Sequence, residues 1–181
     1  MKQYIQLIRN TIEAHAADFT AAGVLPPQTI DVYMGQPNNP EDFEFTLPAV
    51  FIDYSADYDG EVLDLQLHVV QDFLDDTENF APQRDNGLRF VTFLSVLKKC
   101  LYGLKYGVPK ELRSHGVSVR PVFGVLKLYQ ETPMQTDFFH YHLLTLRCSL
   151  NSDLYAEMEL YTDVEPVSAV LENGRLKRTM G

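Results

Sequence analysis

The sequence predicts an α+β fold: a mostly antiparallel β-sheet with two main helices packed on one face. Three observations predict it. Residues 62–71 read VLDLQLHVVQ, with Leu63, Leu65, Leu67 and Val69 at every second position and Asp64, Gln66 and His68 between them. That is the period of a strand with one dry and one wet face. Just upstream, a second apolar run at residues 48–54 (PAVFIDY) is joined to the first by the turn-rich SADYDGE, so the two runs fold back as an antiparallel hairpin. Two further stretches, residues 2–19 and 87–104, carry apolar side chains at helical intervals.

Taken in order, Tyr4, Ile5, Ile8, Ile12, Ala16 and Phe19 form the stripe of a first amphipathic helix that ends before Gly23. A short strand follows at residues 29–34, then a loop in which Gly35, Pro37 and Pro40 forbid regular structure. After the hairpin, residues 75–87 (DDTENFAPQRDNG) are acidic and rich in turn formers, a surface excursion. Phe90, Val91, Leu94, Leu97, Leu101 and Leu104 mark the second helix, with Asp85 or Asn86 as its cap. Lys98, Lys99 and Lys105 suit the negative end of its dipole, and Gly103 and Gly107 stop it. Pro109 opens a brief helical turn to Arg113. Residues 116–130 and 137–150, rich in Val, Leu, Phe and Tyr, form a second long hairpin around ETPMQT.

One domain therefore spans residues 1–150, and residues 151–181 make a C-terminal arm in which Asn173-Gly174 sits between two short alternating runs, a small two-residue hairpin. At 181 residues the chain can bury roughly two-thirds of its unfolded surface. Its 45% hydrophobic content is that of a globular protein. No apolar stretch is long enough to span a bilayer, and MKQYIQLIRN lacks the continuous apolar core of a signal peptide, so the expected compartment is a cytoplasm. Cys100 and Cys148 lack metal-type spacing and are expected as reduced thiols. A net charge of −10 and a pI near 4.8 argue against a surface that grips nucleic acid by neutralising phosphates.

Three groups of residues invite a chemical reading. Asp57, Asp59 and Gly60 resemble the start of a calcium loop, but in that register the first and twelfth ligand positions fall on Ser55 and Gln66, so both anchoring carboxylates are missing. Charges at a solvated hairpin tip account for them better. His140 and His142 lie on one face of a strand, and His68 on the wet face of another would complete three imidazoles of the kind zinc takes. Asp53, Glu61 and Asp64 could be drawn as a magnesium nuclease cluster, yet no lysine or basic approach surface accompanies them. The chain contains no HExxH, GxSxG, P-loop or GxGxxG.

The order of elements, together with LPAVFIDY at 47–54, LDLQLHVVQD at 63–72 and LKKCLYGL at 97–104, resembles the small tail-terminator or tail-completion proteins of long-tailed phages and prophages over residues 1–150. The resemblance implies a structural virion protein and not an enzyme. It would be a homo-oligomer, a hexameric ring capping the tail tube and meeting the head connector, made in the host bacterial cytoplasm and carried in the virion, with no cofactor or metal. Its partners would be other tail and connector proteins, with no specific nucleic-acid binding and no membrane. In such a ring acidic residues facing the lumen would repel passing DNA. The candidates are Asp57, Asp59 and Glu61 at the hairpin tip and Asp75, Asp76 and Glu78 in the loop, with Tyr155, Leu160 and Tyr161 of the arm as apolar anchors between subunits. The alternative is a metal-dependent hydrolase or nuclease using His68, His140 and His142 or the hairpin carboxylates.

Overall fold

A computed structural model describes residues 1–72, 85–107, 121–134, 136, 139–153, 155, 169–172 and 175–178, of which 85–87, 169–172 and 175–178 are described by backbone alone. The fold is α+β. A five-stranded sheet runs in the order β1-β2-β3-β5-β4, built from β1 (Thr29–Val32), β2 (Ala49–Asp57), β3 (Val62–Asp72), β4 (Lys127–Met134) and β5 (Phe139–Ser149). β1 is parallel to β2, and every other neighbouring pair is antiparallel. The helices are α1 (Lys2–Ala14), α2 (Ala16–Ala21) and α3 (Asp85–Leu101). β6 (Ala169–Glu172) and β7 (Arg175–Arg178) pair in a separate two-stranded sheet whose register flanks Asn173-Gly174, in keeping with the expected small hairpin.

The main core lies between one sheet face and the helices. Leu63, Leu65, Leu67 and Val69 of β3 are all fully buried there, packed with Tyr4, Ile8 and Ile12 of α1 and Phe93, Leu94, Leu97 and Leu101 of α3. Val50 and Ile52 on β2 and Leu144 and Leu146 on β5 extend the layer across the sheet. Truncating a central member such as Leu67 to Ala would cost about 2–5 kcal/mol, because a sheet flanked on both sides cannot collapse into the gap.

The structure departs from the sequence reading in four places. The first helix breaks at His15, whose backbone turns (φ −94°, ψ 13°) while its N–H returns to Ile12 O at 3.1 Å. The break lets α2 change direction and set Phe19 against Phe93 with ring centres 5.0 Å apart. Second, β4 starts only at Lys127, and the expected turn ETPMQT instead supplies its last four residues through Met134. Pro133 is tolerated because β4 is an edge strand with no outer neighbour to receive its missing N–H. Third, Val122–Leu126 form no strand but are stitched to Leu104, Tyr106 and Ser149 by backbone bonds. Fourth, the second face of β3 is not uniformly wet: His68 and Val70 are buried on it. There Ala49, Phe51, Val70 and Tyr141 form a small second core, covered by Tyr33, Phe45 and Leu47 from the segment between β1 and β2. The turn expected at 109–113 lies outside the described residues. Cys148 is buried and Cys100 half-buried, both as free thiols.

Candidate functional site

The β2–β3 hairpin projects its acidic tip from the uncovered end of the second sheet face. The turn that makes the tip is set locally: Asp57 Oδ1 accepts the N–H of Gly60 at 2.9 Å, an Asx-type closure. A Cβ at Gly60 would fall 2.9 Å from Asp57 Cγ, so a side chain there would push the Asp57 carboxylate out of this closure. Glu61 follows with φ 51°, in the left-handed region, and its carbonyl receives Leu150 N–H at 2.8 Å. Residues 57–61 are all exposed. Among the described residues no ion pair engages Asp57, Asp59 or Glu61. The tip is therefore a knot of uncompensated negative charge, suited to repelling polyanions and unsuited to binding them.

Next to the tip, strand register assembles a polar row that the sequence alone does not reveal. Asp64 on β3 stands opposite Ser55 on β2 and Arg147 on β5. Arg147 donates to it from Nε at 2.6 Å and from its terminal nitrogen at 2.7 Å, a bidentate pair. The same guanidinium lies 3.5 Å from the ring centre of Tyr129 on β4. The Asp64 hydrogen bond raises the Arg147 pKa further. One carboxylate of the proposed Asp53, Glu61 and Asp64 cluster is thus spent on an arginine, and among the described residues no group of three or more His, Cys, Asp or Glu side chains converges as a metal cage.

The three histidines do not meet. In the β3–β5 register His68 faces Leu143, whereas His142 faces Val69 and His140 faces Gln71. Adjacent positions on a strand point to opposite faces, so His68 lies on the second face and the other two on the helix face. His142 and His140 pack around Phe90 of α3, with ring centres 4.8 and 5.9 Å away. His142 Nδ1 is 3.6 Å from Glu131, which also holds Lys98 at 2.7 Å. Burial lowers the His142 pKa, with Glu131 opposing and His140 and Lys98 assisting.

Among the described residues, His68 has an unusual environment. Tyr33 stacks flat on it, ring centres 3.6 Å apart and planes 4° from parallel, and Tyr141 Oη is hydrogen-bonded to its Nδ1. The Tyr33 hydroxyl accepts from Asn38 Nδ2 at 3.0 Å. The imidazole Nδ1 and the Tyr141 hydroxyl thus share one hydrogen bond, and Nε2 is buried without a partner. Burial drives the His68 pKa down to about 4 against the opposing pull of Asp53, and pushes that of Tyr141 well up. The ring is a neutral element of the second core. Loop 33–47 hides it, beginning at Gly35 (φ 91°), where Gln36 closes the turn by accepting Met34 N–H at 2.7 Å and donating to Val32 O at 2.8 Å.

Of the remaining candidates, Tyr155 is buried against side chains of its own chain, 5.8 Å from the ring of Phe123 and 5.7 Å from that of Tyr58. Asp75, Asp76, Glu78, Leu160 and Tyr161 lie outside the described residues. No described helix is long and apolar enough to cross a membrane. The chain matches no protein-family model, no curated protein and no solved structure.

Proposed function

We propose that this protein is a structural assembly subunit, a ring-forming component at the end of a phage tail tube, as its likeness in layout to tail terminators implies. The observation that carries this reading is the uncompensated acidic tip at Asp57, Asp59 and Glu61, held in place by a rigid hairpin that pairs residue for residue from Ala49–Val70 to Asp57–Val62. A channel that passes DNA needs walls that repel phosphate, and a ring places one such tip per copy around its axis. Both sheet edges are blunted against indiscriminate strand pairing. On β1 the Val32 N–H is taken by Asp31 Oδ1 at 2.8 Å, and β4 carries Pro133 and a register shift between Leu128 and Gln130. Exposed Leu128, Tyr129 and Met134 on β4 provide apolar surface for contact between copies without sheet extension.

Light scattering on the purified chain tests the reading. A mass near six times the 20.7 kDa protomer, about 124 kDa, is expected for the closed ring. A 20.7 kDa particle at every concentration removes it.

A further inference from the structure

The segment that joins β1 to β2 lies over the second sheet face on packing contacts. Among the described residues, the hydrogen bonds of residues 34–45 all close within residues 32–45, and none reaches β2, β3 or β5. The segment is tied down at its ends: Tyr33 N–H reaches Ile52 O at 2.9 Å, and Thr46 N–H reaches Thr29 Oγ1 at 2.9 Å. Between those ties, rings hold it in place, Tyr33 on His68 and Phe45 against Phe51 and Phe139. Gly35, in the left-handed region at φ 91°, follows directly on Tyr33, and without a Cβ it can leave that conformation at little cost. Such a segment can lift without breaking a ladder hydrogen bond of the sheet or a contact of the helix-side core.

His68, which lies beneath it, responds to acid. The residue is 6% exposed, its Nδ1 is hydrogen-bonded to Tyr141 Oη, and its Nε2 is buried without a partner. An added proton would place an N–H and a full charge where nothing receives them, whereas lifting the segment hands both to water. On β2 its cross-strand neighbour is Phe51, with Asp53 two positions on; on β5 the neighbour is Leu143, with the Tyr141 phenol beside it. Asp64 and Asp72 share its face of β3, four residues away on either side, and Asp64 is held by Arg147. Asp53 draws the ring toward its cation, and burial outweighs that pull. We propose that residues 34–45 form a hinged cover that lifts when His68 takes a proton, uncovering Ala49, Phe51, Val70 and Tyr141 in acid while the sheet and the helix-side core stay folded.

Thiol accessibility in the full chain tests it, with Cys148 as an internal reporter. Val70→Cys places a thiol in the second core, whereas Cys148 is buried in the main one; should that variant fail to fold, Ala49→Cys reports from the same second core. Both thiols are labelled with a dipyridyl disulfide at pH 7.5 and pH 5, assigned by peptide mass, and each rate is divided by that of a free cysteine peptide. A ring that titrates at 6.5 when open and at about 4 when closed makes the lifted state about thirty times more populated at the lower pH. The introduced thiol should therefore react about thirtyfold faster at pH 5, and ahead of Cys148 at both pH values. In a His68→Gln background the gain should vanish. Equal rates for the introduced thiol and Cys148 would show that the second core opens only with the whole chain and would overturn the proposal, as would a gain that survives His68→Gln or no gain at all.

Discussion

Lowering the pH perturbs one residue of this protein more than its neighbours, and the structure gives the size of the effect. His68 is 6% exposed, stacked under Tyr33 and hydrogen-bonded to Tyr141, with its pKa held to about 4 instead of 6.5. Between those two values the unfolded chain takes up a proton at this position and the folded chain does not, so stability rises with pH there and falls as the pH drops from 6.5 toward 4. From pH 7.5 to pH 5 the loss works out at about 2 kcal/mol from this one group. Urea titrations at the two pH values, followed by tyrosine fluorescence because the chain has no Trp, measure it. His68→Gln keeps a hydrogen-bonding group toward Tyr141 and cannot titrate in this range. The variant should lose about 2 kcal/mol less than the wild type over the same interval, since the other carboxylates and histidines titrate alike in both. Identical pH dependence in the two proteins refutes the claim that His68 is buried neutral.

The covering loop gives a linked expectation: Phe45→Ala removes the ring that meets Phe51 at 5.2 Å and Phe139 at 5.7 Å. The His68 pKa, followed by proton NMR, should then move up toward its ordinary value; an unmoved titration contradicts the loop's role as cover. Glu61→Gly relieves the left-handed backbone at φ 51° and should stabilise the fold by up to about 1 kcal/mol in a denaturant melt, whereas a loss of stability would show the strain to be absent. At the tip, Asp59→Lys/Glu61→Lys leaves the Asp57–Gly60 closure intact. The wild type should leave duplex DNA unshifted in a gel at moderate salt, and the variant should retard it; equal mobility with both would show that tip charge does not govern the encounter.

The parts of the fold legible in the sequence are those whose signal is periodic. The β2–β3 hairpin shows itself because Leu63, Leu65, Leu67 and Val69 all face the helices, and its register runs unbroken to the tip. The helix stripes show themselves for the same reason, since Tyr4, Ile8 and Ile12 point one way. What hides is whatever depends on a non-periodic neighbour. His68 reads as wet because it is covered by Tyr33, which stacks on it from a loop whose spacing carries no pattern. The Asp64–Arg147 pair spans 83 positions and exists only through the β3–β5 register, which no local signal specifies. The break at His15 is similarly tertiary, serving to aim Phe19 at Phe93. The site candidates divide the same way: the acidic tip follows from turn chemistry within five residues, whereas the separation of His68 from His140 and His142 needs the register of two strands far apart in sequence.

Negative-stain electron microscopy of the purified, untagged chain addresses the central claim most directly, because it shows both closure and the opening that DNA would need. Class averages of closed rings with a central hole, built from a fixed number of 20.7 kDa copies, are the result the account predicts. A field of solitary compact particles, unchanged when the sample is concentrated, would contradict it.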